Sequence, residues 1–406
     1  MDAKEGIRLW SMIPLLLLVV SYPFGVAVHG VMSTISVILA LAMVKKTSYS
    51  FKPITSPIII SSLYVVWVTI SGVISGTIES NALISDFVGY IGWIAIPPAL
   101  TPLLIDISHK QRQQLVITVQ SICVLWGLVV LSQHLLGWRV SGHSIIPDGF
   151  RPRGFYSHPL TLAYCALIPF PMLVNVAFER PQKLISWLSL MSLGSIIFFT
   201  LSRTVQAVAF LVIIWSVFNH LKGRQKIASL LTIFALISAL FVIPNPVANK
   251  FVDTFSEKGV DKHGEYADDR LVFWHAHWEM IKERPLTGHG NTRGSQYRNQ
   301  YYQKIGMPQF KKKYEAHNMF IQIIANSGLI GLCLFLSWLG WHFLNIQRIE
   351  QKFYRSVYTQ TLTIFCLAGL TQNAFQDSEV RMGLTLLTLF IWVSICQTQK
   401  KNLTLT

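Results

Sequence analysis

Residues 316–343 read AHNMFIQIIANSGLIGLCLFLSWLGWHF. From Asn318 to Phe343 no Asp, Glu, Lys or Arg interrupts the apolar run. That is longer than the ~20 residues with which an α-helix crosses ~30 Å of hydrocarbon. Outward from it, runs of the same kind recur at about 9–28, 30–44, 56–76, 83–105, 113–137, 159–178, 184–200, 203–219, 227–243, 356–374 and 382–398. The bilayer core offers no water to the backbone, so each run is expected to be helical. Apolar residues do not alternate with period two, which disfavours a membrane β-barrel. The expected fold is an all-α polytopic membrane protein with about twelve transmembrane helices. Residues 1–243 would carry spans one to nine, 244–317 a large polar loop with short helices, and 318–406 spans ten to twelve, all in one integral membrane unit.

Composition points the same way. The chain of 406 residues is 52% hydrophobic and 13% charged, half the ~25% charged residues of a soluble domain. Cys123, Cys165, Cys333, Cys366 and Cys396 all lie in apolar runs, so they form no disulfide framework. The formal net charge of +15 would suggest nucleic acid on a soluble protein. Here it follows in part from Lys and Arg collecting on cytoplasmic loops, and no nucleic-acid partner is expected. The first apolar run is long and lacks a small-residue cleavage site followed by a soluble domain, so it reads as a span rather than a cleaved signal.

The short loops set the orientation. Lys45, Lys46 and Lys52 follow span two, Lys110 and Arg112 span four, Arg180 and Lys183 span six, and Lys222, Arg224 and Lys226 span eight. Arg348, Lys352 and Arg355 follow span ten, and Lys400 and Lys401 span twelve. Every even exit is basic, which places these loops and both termini in the cytoplasm. The loop of residues 244–317 then faces outward although it carries Lys250, Lys258, Arg270, Arg284, Arg293, Arg298 and the run Lys311–Lys313. Long loops are exempt from the charge rule, and an anionic ligand would account for the excess. A second outer loop, 138–158, holds Arg139, His143, Arg151, Arg153 and His158.

Four outer features carry candidate chemistry. Arg203, in FFTLSRTVQA, stands at the end of a hydrophobic run, where a guanidinium is either an interfacial residue snorkelling to headgroups or a functional group. In DDRLVFWHAHWEMIKERPLTGHG (268–290), Arg270, Phe273, Trp274, His277, Trp278 and Ile281 recur at helical spacing. This predicts an amphipathic helix at the interface, its Trp face anchoring in the membrane. Arg270 could hold a phosphate or pair with Asp268 and Asp269. His317 and Asn318 stand where the long loop returns to the membrane and heads a helix, whose positive dipole end favours an anion. They could also be satisfied interfacial polar groups. Gly328 and Gly331 follow, suited to close helix packing. In RPRGFYSHPLTLAY (151–164), Arg151, Arg153 and His158 precede a helix-start proline, as a substrate-binding loop or an ordinary one. The histidines lack HExxH or Cys/His zinc spacing, and neither a GxSxG elbow nor a Walker A sequence occurs. No metal, ATP or cofactor is expected.

The order of these features resembles the O-antigen ligase / O-antigen polymerase superfamily: about twelve spans, a long outer loop between the ninth and tenth, and a closing His-Asn-x9-Gly-x-x-Gly (His317, Asn318, Gly328, Gly331). The arginines of LSRT (Arg203) and DDRLVFW (Arg270) match the two that the family places near the lipid diphosphate. Asp377 in FQDSEVR, before Arg381, matches the family's acid in the last outer loop. The resemblance spans about 150–381. It implies a GT-C-like enzyme of the bacterial inner membrane with its active site facing the periplasm. The donor would be a glycan on undecaprenyl diphosphate, and the acceptor a sugar hydroxyl of lipid A-core or of a growing glycan. By that resemblance Arg203 and Arg270 grip the diphosphate. His317 acts as base or as hydrogen-bond donor to it. Arg151, Arg153, His158, Asn318, Asp377 and Arg381 bind substrate. Direct attack would invert the anomeric centre.

Nothing in the sequence names the acceptor or the oligomeric state. An O-antigen or exopolysaccharide polymerase would share spans, loop and donor. Protein-glycosylating relatives usually carry a larger outer C-terminal region, whereas this chain stops about eight residues after the last span. A lipid-linked sugar flippase would place charges in mid-membrane cavities and broken helices, whereas the charges here cluster at the outer surface.

Overall fold

The computed structural model describes residues 12–44, 51–76, 80–137, 151–242, 269–308 and 315–405. Among these residues the regular structure is helical, with no strand. The chain begins with α1 (Ile13–Ser21), α2 (Gly25–Val44), α3 (Thr55–Ile74), α4 (Ser80–Leu104) and α5 (His109–Leu136). Then come α6 (Pro159–Leu167), α7 (Phe170–Glu179), α8 (Leu184–Phe199), α9 (Arg203–His220) and α10 (Gly223–Val242). Two helices of the long polar segment follow, α11 (Asp269–Glu283) and α12 (Asn291–Lys304). The chain closes with α13 (Met319–Ile346), α14 (Lys352–Gly369) and α15 (Ser378–Leu405). The Lys311–Lys313 run, Lys250, Lys258, Arg139 and His143 lie outside the described residues.

Among the described residues, seven stretches are long and apolar enough to cross a membrane, or eight if α6 and α7, bent by 41° at their junction, form one span. The first of them, Ile13–Met43, is folded on itself. Ser36 Oγ donates to Pro14 O at 2.8 Å, whereas 22 residues of straight helix would separate these atoms by ~33 Å. The limbs therefore run antiparallel, and the turn falls at Tyr22–Gly25, where Gly25 has φ 80°, rather than near residue 29. α8 is apolar but shorter. α14 is long but carries Lys352, Arg355 and Gln360. Local signals fix the ends of α5. Ser108 and Gln111 exchange side-chain and backbone hydrogen bonds in a capping box, and Gly137 closes the helix at φ 66°.

An aromatic cluster forms the centre. Phe375, wholly buried, packs its ring 5.5 Å from Tyr64, 5.7 Å from Tyr90, 5.1 Å from Trp93 and 4.6 Å from Phe335. Phe375 belongs to the connection between α14 and α15, so that loop is drawn into the bundle and does not ride over it.

The long polar segment is equally integrated where it is described. Val272, Phe273, Ala276 and Met280 of α11 are buried with Tyr301 and Tyr302 of α12 and Ala325 of α13. The face expected to anchor in lipid is thus largely internal. Trp278 is exposed, but Trp274 Nε1 donates to Ala316 O at 2.8 Å. His277 donates from Nδ1 to Phe273 O. Burial, then the Arg298 charge, pushes its pKa down to about 3, so the ring is neutral packing.

Residues 285–290 then run beside a break in α13. Gly328 has φ 67° and ψ −174°, outside helical geometry. The freed backbone is satisfied across the chain: His289 N donates to Ala325 O, Gly290 N to Asn326 O and Leu329 N to Pro285 O. Irregular backbone at this depth is tolerated because it is buried in protein. A Cβ at Gly288 would overlap the Asn326–Ser327 backbone, and one at Gly328 would overlap Leu286 O. Of the two glycines expected to ease helix packing, Gly328 instead permits two backbones to cross, whereas Gly331 does face α3, at Trp67.

Candidate functional site

The loop between α14 and α15 organises one end of the bundle. It begins with Thr371, Gln372 and Asn373, and ends at Asp377, whose Oδ1 accepts from Glu379 N and caps α15. Two anchors hold it: the Phe375 ring below and Arg381 beside. Arg381 Nε donates to Gly89 O at 3.1 Å, and its Nη1 donates to Phe375 O at 2.7 Å and Gln376 O at 3.3 Å. Its guanidinium lies 4.2 Å from the centre of the Tyr90 ring. Arg381 is 6% exposed; the sequence marks it as a substrate contact, but it sits as a brace under the loop.

Three other elements converge on this loop. His317 has φ 47°, and its neighbours fix that turn. Ala316 N donates to Gln322 Oε1. Asn318 caps α13 by accepting from Phe320 N and Ile321 N, and its Nδ2 donates to Leu370 O at 3.1 Å. With those bonds made and 8% exposure, Asn318 positions His317 and is not itself open to a ligand. The half-buried imidazole places Nδ1 2.7 Å from Gln372 Oε1. The amide oxygen accepts, so Nδ1 carries the proton and Nε2 keeps its lone pair.

α9 reaches the same loop. Leu201 has φ 52° and turns the chain so that half-buried Arg203 becomes the first residue of α9. Next to it, Thr204 Oγ1 accepts from Thr371 Oγ1 at 3.0 Å. Thr371 also meets the Tyr164 hydroxyl at 3.4 Å. α11, which carries Arg270 on its first turn, reaches His317 through Phe273, whose ring lies 5.6 Å from the imidazole.

The third element is the segment before α6. Arg151 Nε donates to Thr200 O at 2.8 Å, which ties this segment to the Leu201 turn. Arg153 Nη1 donates to Ser157 O at 3.3 Å. Thr161 Oγ1 donates to Asp377 Oδ2 at 2.7 Å. His158 Nδ1 accepts from Leu160 N as the cap of α6, so in the neutral ring the proton sits on Nε2. Partial burial, then Arg151 and Arg153, lower its pKa, against opposing pull from Asp377. Among its weaker influences is His317, so the His158 and His317 clusters share one electrostatic neighbourhood.

Arg151, Arg153, His158, Arg203, Arg270, His317 and Asp377 thus gather at one end, through partners that carry no charge. Gln372, Thr371, Thr161 and Tyr164 do the joining and escape a reading that looks for charged or histidine residues. The polar run Thr371–Asn373, which ends an apolar span, is the signal that could have found them. Asn373 donates to Glu315, and its Oδ1, like both polar side-chain atoms of Gln376, is buried without a hydrogen-bond partner. The chemistry this set can perform is anion binding by guanidinium groups beside one imidazole able to take a proton. Among the described residues no group of three or more His, Cys, Asp or Glu could hold a metal ion.

The opposite end is basic and simpler. There Lys400 pairs with Asp106 and Lys401 with Glu350, and Gln397 Nε2 donates to Ile105 O at 2.8 Å.

Comparison with protein families agrees with the motif reading. Residues 188–336 match the family model described as O-antigen ligase, which places this stretch in the O-antigen ligase / O-antigen polymerase superfamily. The matched stretch includes Arg203, Arg270, His317, Asn318, Gly328 and Gly331. No curated protein matches the chain. The protein is a multi-pass membrane protein, and the matched stretch is similar to a family of lipid-linked glycan ligases and polymerases.

Proposed function

We propose that the protein is an O-antigen ligase, moving a polysaccharide from undecaprenyl diphosphate to a sugar hydroxyl of lipid A-core at the periplasmic face of the bacterial inner membrane. The observation that carries this reading is the meeting of three elements far apart in sequence, the start of α9 with Arg203, the first turn of α11 with Arg270, and His317, around one loop at one end of the bundle. The basic loops at the other end support an outward position for it.

The donor arrives already activated, so the reaction needs neither nucleotide nor metal. Arg203 and Arg270 fork onto the diphosphate oxygens, where a guanidinium stays charged and binds in two-pronged fashion. Arg151, Arg153 and His158, through its Nε2–H, extend the same positive rim toward the glycan phosphate or its first sugars. His317 Nε2 takes the proton from the acceptor hydroxyl, because Gln372 holds the other ring nitrogen protonated. The acceptor oxygen bonds to the anomeric carbon as the bond from that carbon to the diphosphate oxygen breaks. The electron pair leaves with undecaprenyl diphosphate, whose charge the arginines stabilise, and the anomeric centre inverts. Strain supports this placement. The two non-glycine positive φ values among the described residues, at Leu201 and His317, flank the proposed reaction centre, where strain tends to collect. Asp377 positions α6 and α15 through its carboxylate.

The test is a purified assay with lipid-linked donor and lipid A-core. Arg270→Ala and His317→Ala should each lose transfer while still inserting in the membrane. Arg203→Lys should fail as well if a forked grip is required. Wild-type ligated glycan in both alanine variants ends the assignment. Elongated glycan with no ligated core, in the same assay, selects a polymerase with the same donor.

A further inference from the structure

Away from that site, an apolar recess lies among α1, α5, α7, α14 and α15. Val19, Val119, Cys123, Met172, Tyr358 and Phe390 mark its walls, one or two from each helix. Along α5 it extends from Arg112 to Trp126, a rise of ~21 Å for a helix. That exceeds the ~15 Å of one leaflet's hydrocarbon, half of the bilayer's ~30 Å. It is therefore long enough for an acyl chain lying along the helices.

Its far mouth has a different character. Two recesses with charged linings open there, and both are lined by Arg112 and Tyr354, which also line the apolar one. Arg112 stands on the first turn of α5, at the end opposite the glycan site. Its Nε is buried without a hydrogen-bond partner. The neighbouring cations Lys400 and Lys401 already pair with Asp106 and Glu350. A buried guanidinium donor without an acceptor is costly and is relieved by an anion.

From this we infer that the groove is a binding site for one anionic phospholipid of the leaflet opposite the glycan site. Its phosphate meets Arg112, and one acyl chain runs up the recess between α5 and α15. The charge at the mouth selects an anionic headgroup over a zwitterionic one. At the rim Glu350 is paired with Lys401 and Glu179 stands beside Arg180, which leaves the Arg112 charge to be met by one phosphate, as in a singly charged lipid such as phosphatidylglycerol.

Native mass spectrometry of the full chain in detergent, titrated with dioleoyl phosphatidylglycerol or dioleoyl phosphatidylcholine, reads this directly and needs no glycan donor. It therefore stands or falls apart from the proposed transferase activity. Wild type should retain one phosphatidylglycerol in preference to phosphatidylcholine. Arg112→Ala should weaken phosphatidylglycerol binding about tenfold or more, the loss of one charge-assisted hydrogen bond, and erase the preference. Val119→Trp, which fills the recess, should weaken both lipids. Lys226→Ala, a charge removed elsewhere at the same end, should change neither. If Arg112→Ala does not fold, Arg112→Lys should keep the preference with weaker binding. Equal retention of the two lipids by wild type, wild-type binding in Arg112→Ala or Val119→Trp, or displacement of the lipid by excess glycerol phosphate overturns the inference.

Discussion

Two of the regions where φ turns positive in this molecule solve it differently. Where residues 285–290 cross the break in α13, it falls on Gly288, Gly290 and Gly328. At the rim of the candidate site it falls on Leu201 and His317. At the crossing no side chain is wanted, because a Cβ would overlap the other backbone, and glycine adopts the conformation freely. At the rim the side chain is kept although a left-handed residue costs ~1–2 kcal/mol. The contrast separates positions that exist for packing from positions whose side chains, or whose neighbours' side chains, are needed in a fixed direction.

The sharpest way to break this contrast is at the crossing. Gly328→Ala meets two obstacles, overlap with Leu286 O and a φ/ψ pair that is essentially restricted to glycine. We expect a loss of about 4 kcal/mol or more, seen as failure to recover monodisperse protein or a large fall in Tm. Gly340→Ala, in the same helix with nothing near its Cβ, should be neutral or slightly stabilising. Equal behaviour of the two variants would mean that the crossing does not hold the outer segment.

The same contrast explains what could be read in advance. The helical spans were legible because hydropathy and length act locally, and the order Arg203, Arg270, His317 was legible from motifs. The function of Gly328 was not, since the atom that forbids a side chain there, Leu286 O, lies in a segment 42 residues away by numbering. Arg381 was misplaced for a similar reason. A charged residue beside a membrane reads as a ligand contact, and only the fold reveals that Gly89, Phe375 and Gln376 supply carbonyls to it. Trp274 resembled an interfacial anchor until its bond to Ala316 O showed it fixing the turn before His317. Uncharged Gln372 gave no signal by itself, although it settles which nitrogen of His317 is protonated.

That makes Gln372 the means of sharpening the rim. Gln372→Ala removes the acceptor for His317 Nδ1 and frees the ring to rotate or change tautomer. Transfer should fall about 10–100-fold, part of the ~10²–10⁴ a general base contributes, with little change in Tm. Gln372→Glu restores an acceptor and adds a negative charge near the imidazole, which favours its protonated form. It should recover transfer at high pH and move the acid limb of the pH–rate profile upward. A structural role alone would lower Tm in both variants and leave that limb in place. If His317 only donates to the diphosphate, Gln372→Glu should be more active toward low pH, the opposite sign.

The smallest effect belongs to Leu201. Glycine there removes the left-handed penalty but adds freedom to the unfolded chain, so stability should rise by no more than about 1 kcal/mol. Transfer should fall nonetheless, because the turn between Thr200, held by Arg151, and Arg203 would lose its preferred direction and the guanidinium its fixed approach to the diphosphate. Leu201→Ala retains the constraint of a Cβ and should transfer more glycan than Leu201→Gly while being no more stable. Higher Tm with undiminished transfer in Leu201→Gly would show that strain at this turn is incidental. The rim would then differ from the crossing only in which residues fill it, and His317 would remain as the single position where a left-handed side chain has a purpose.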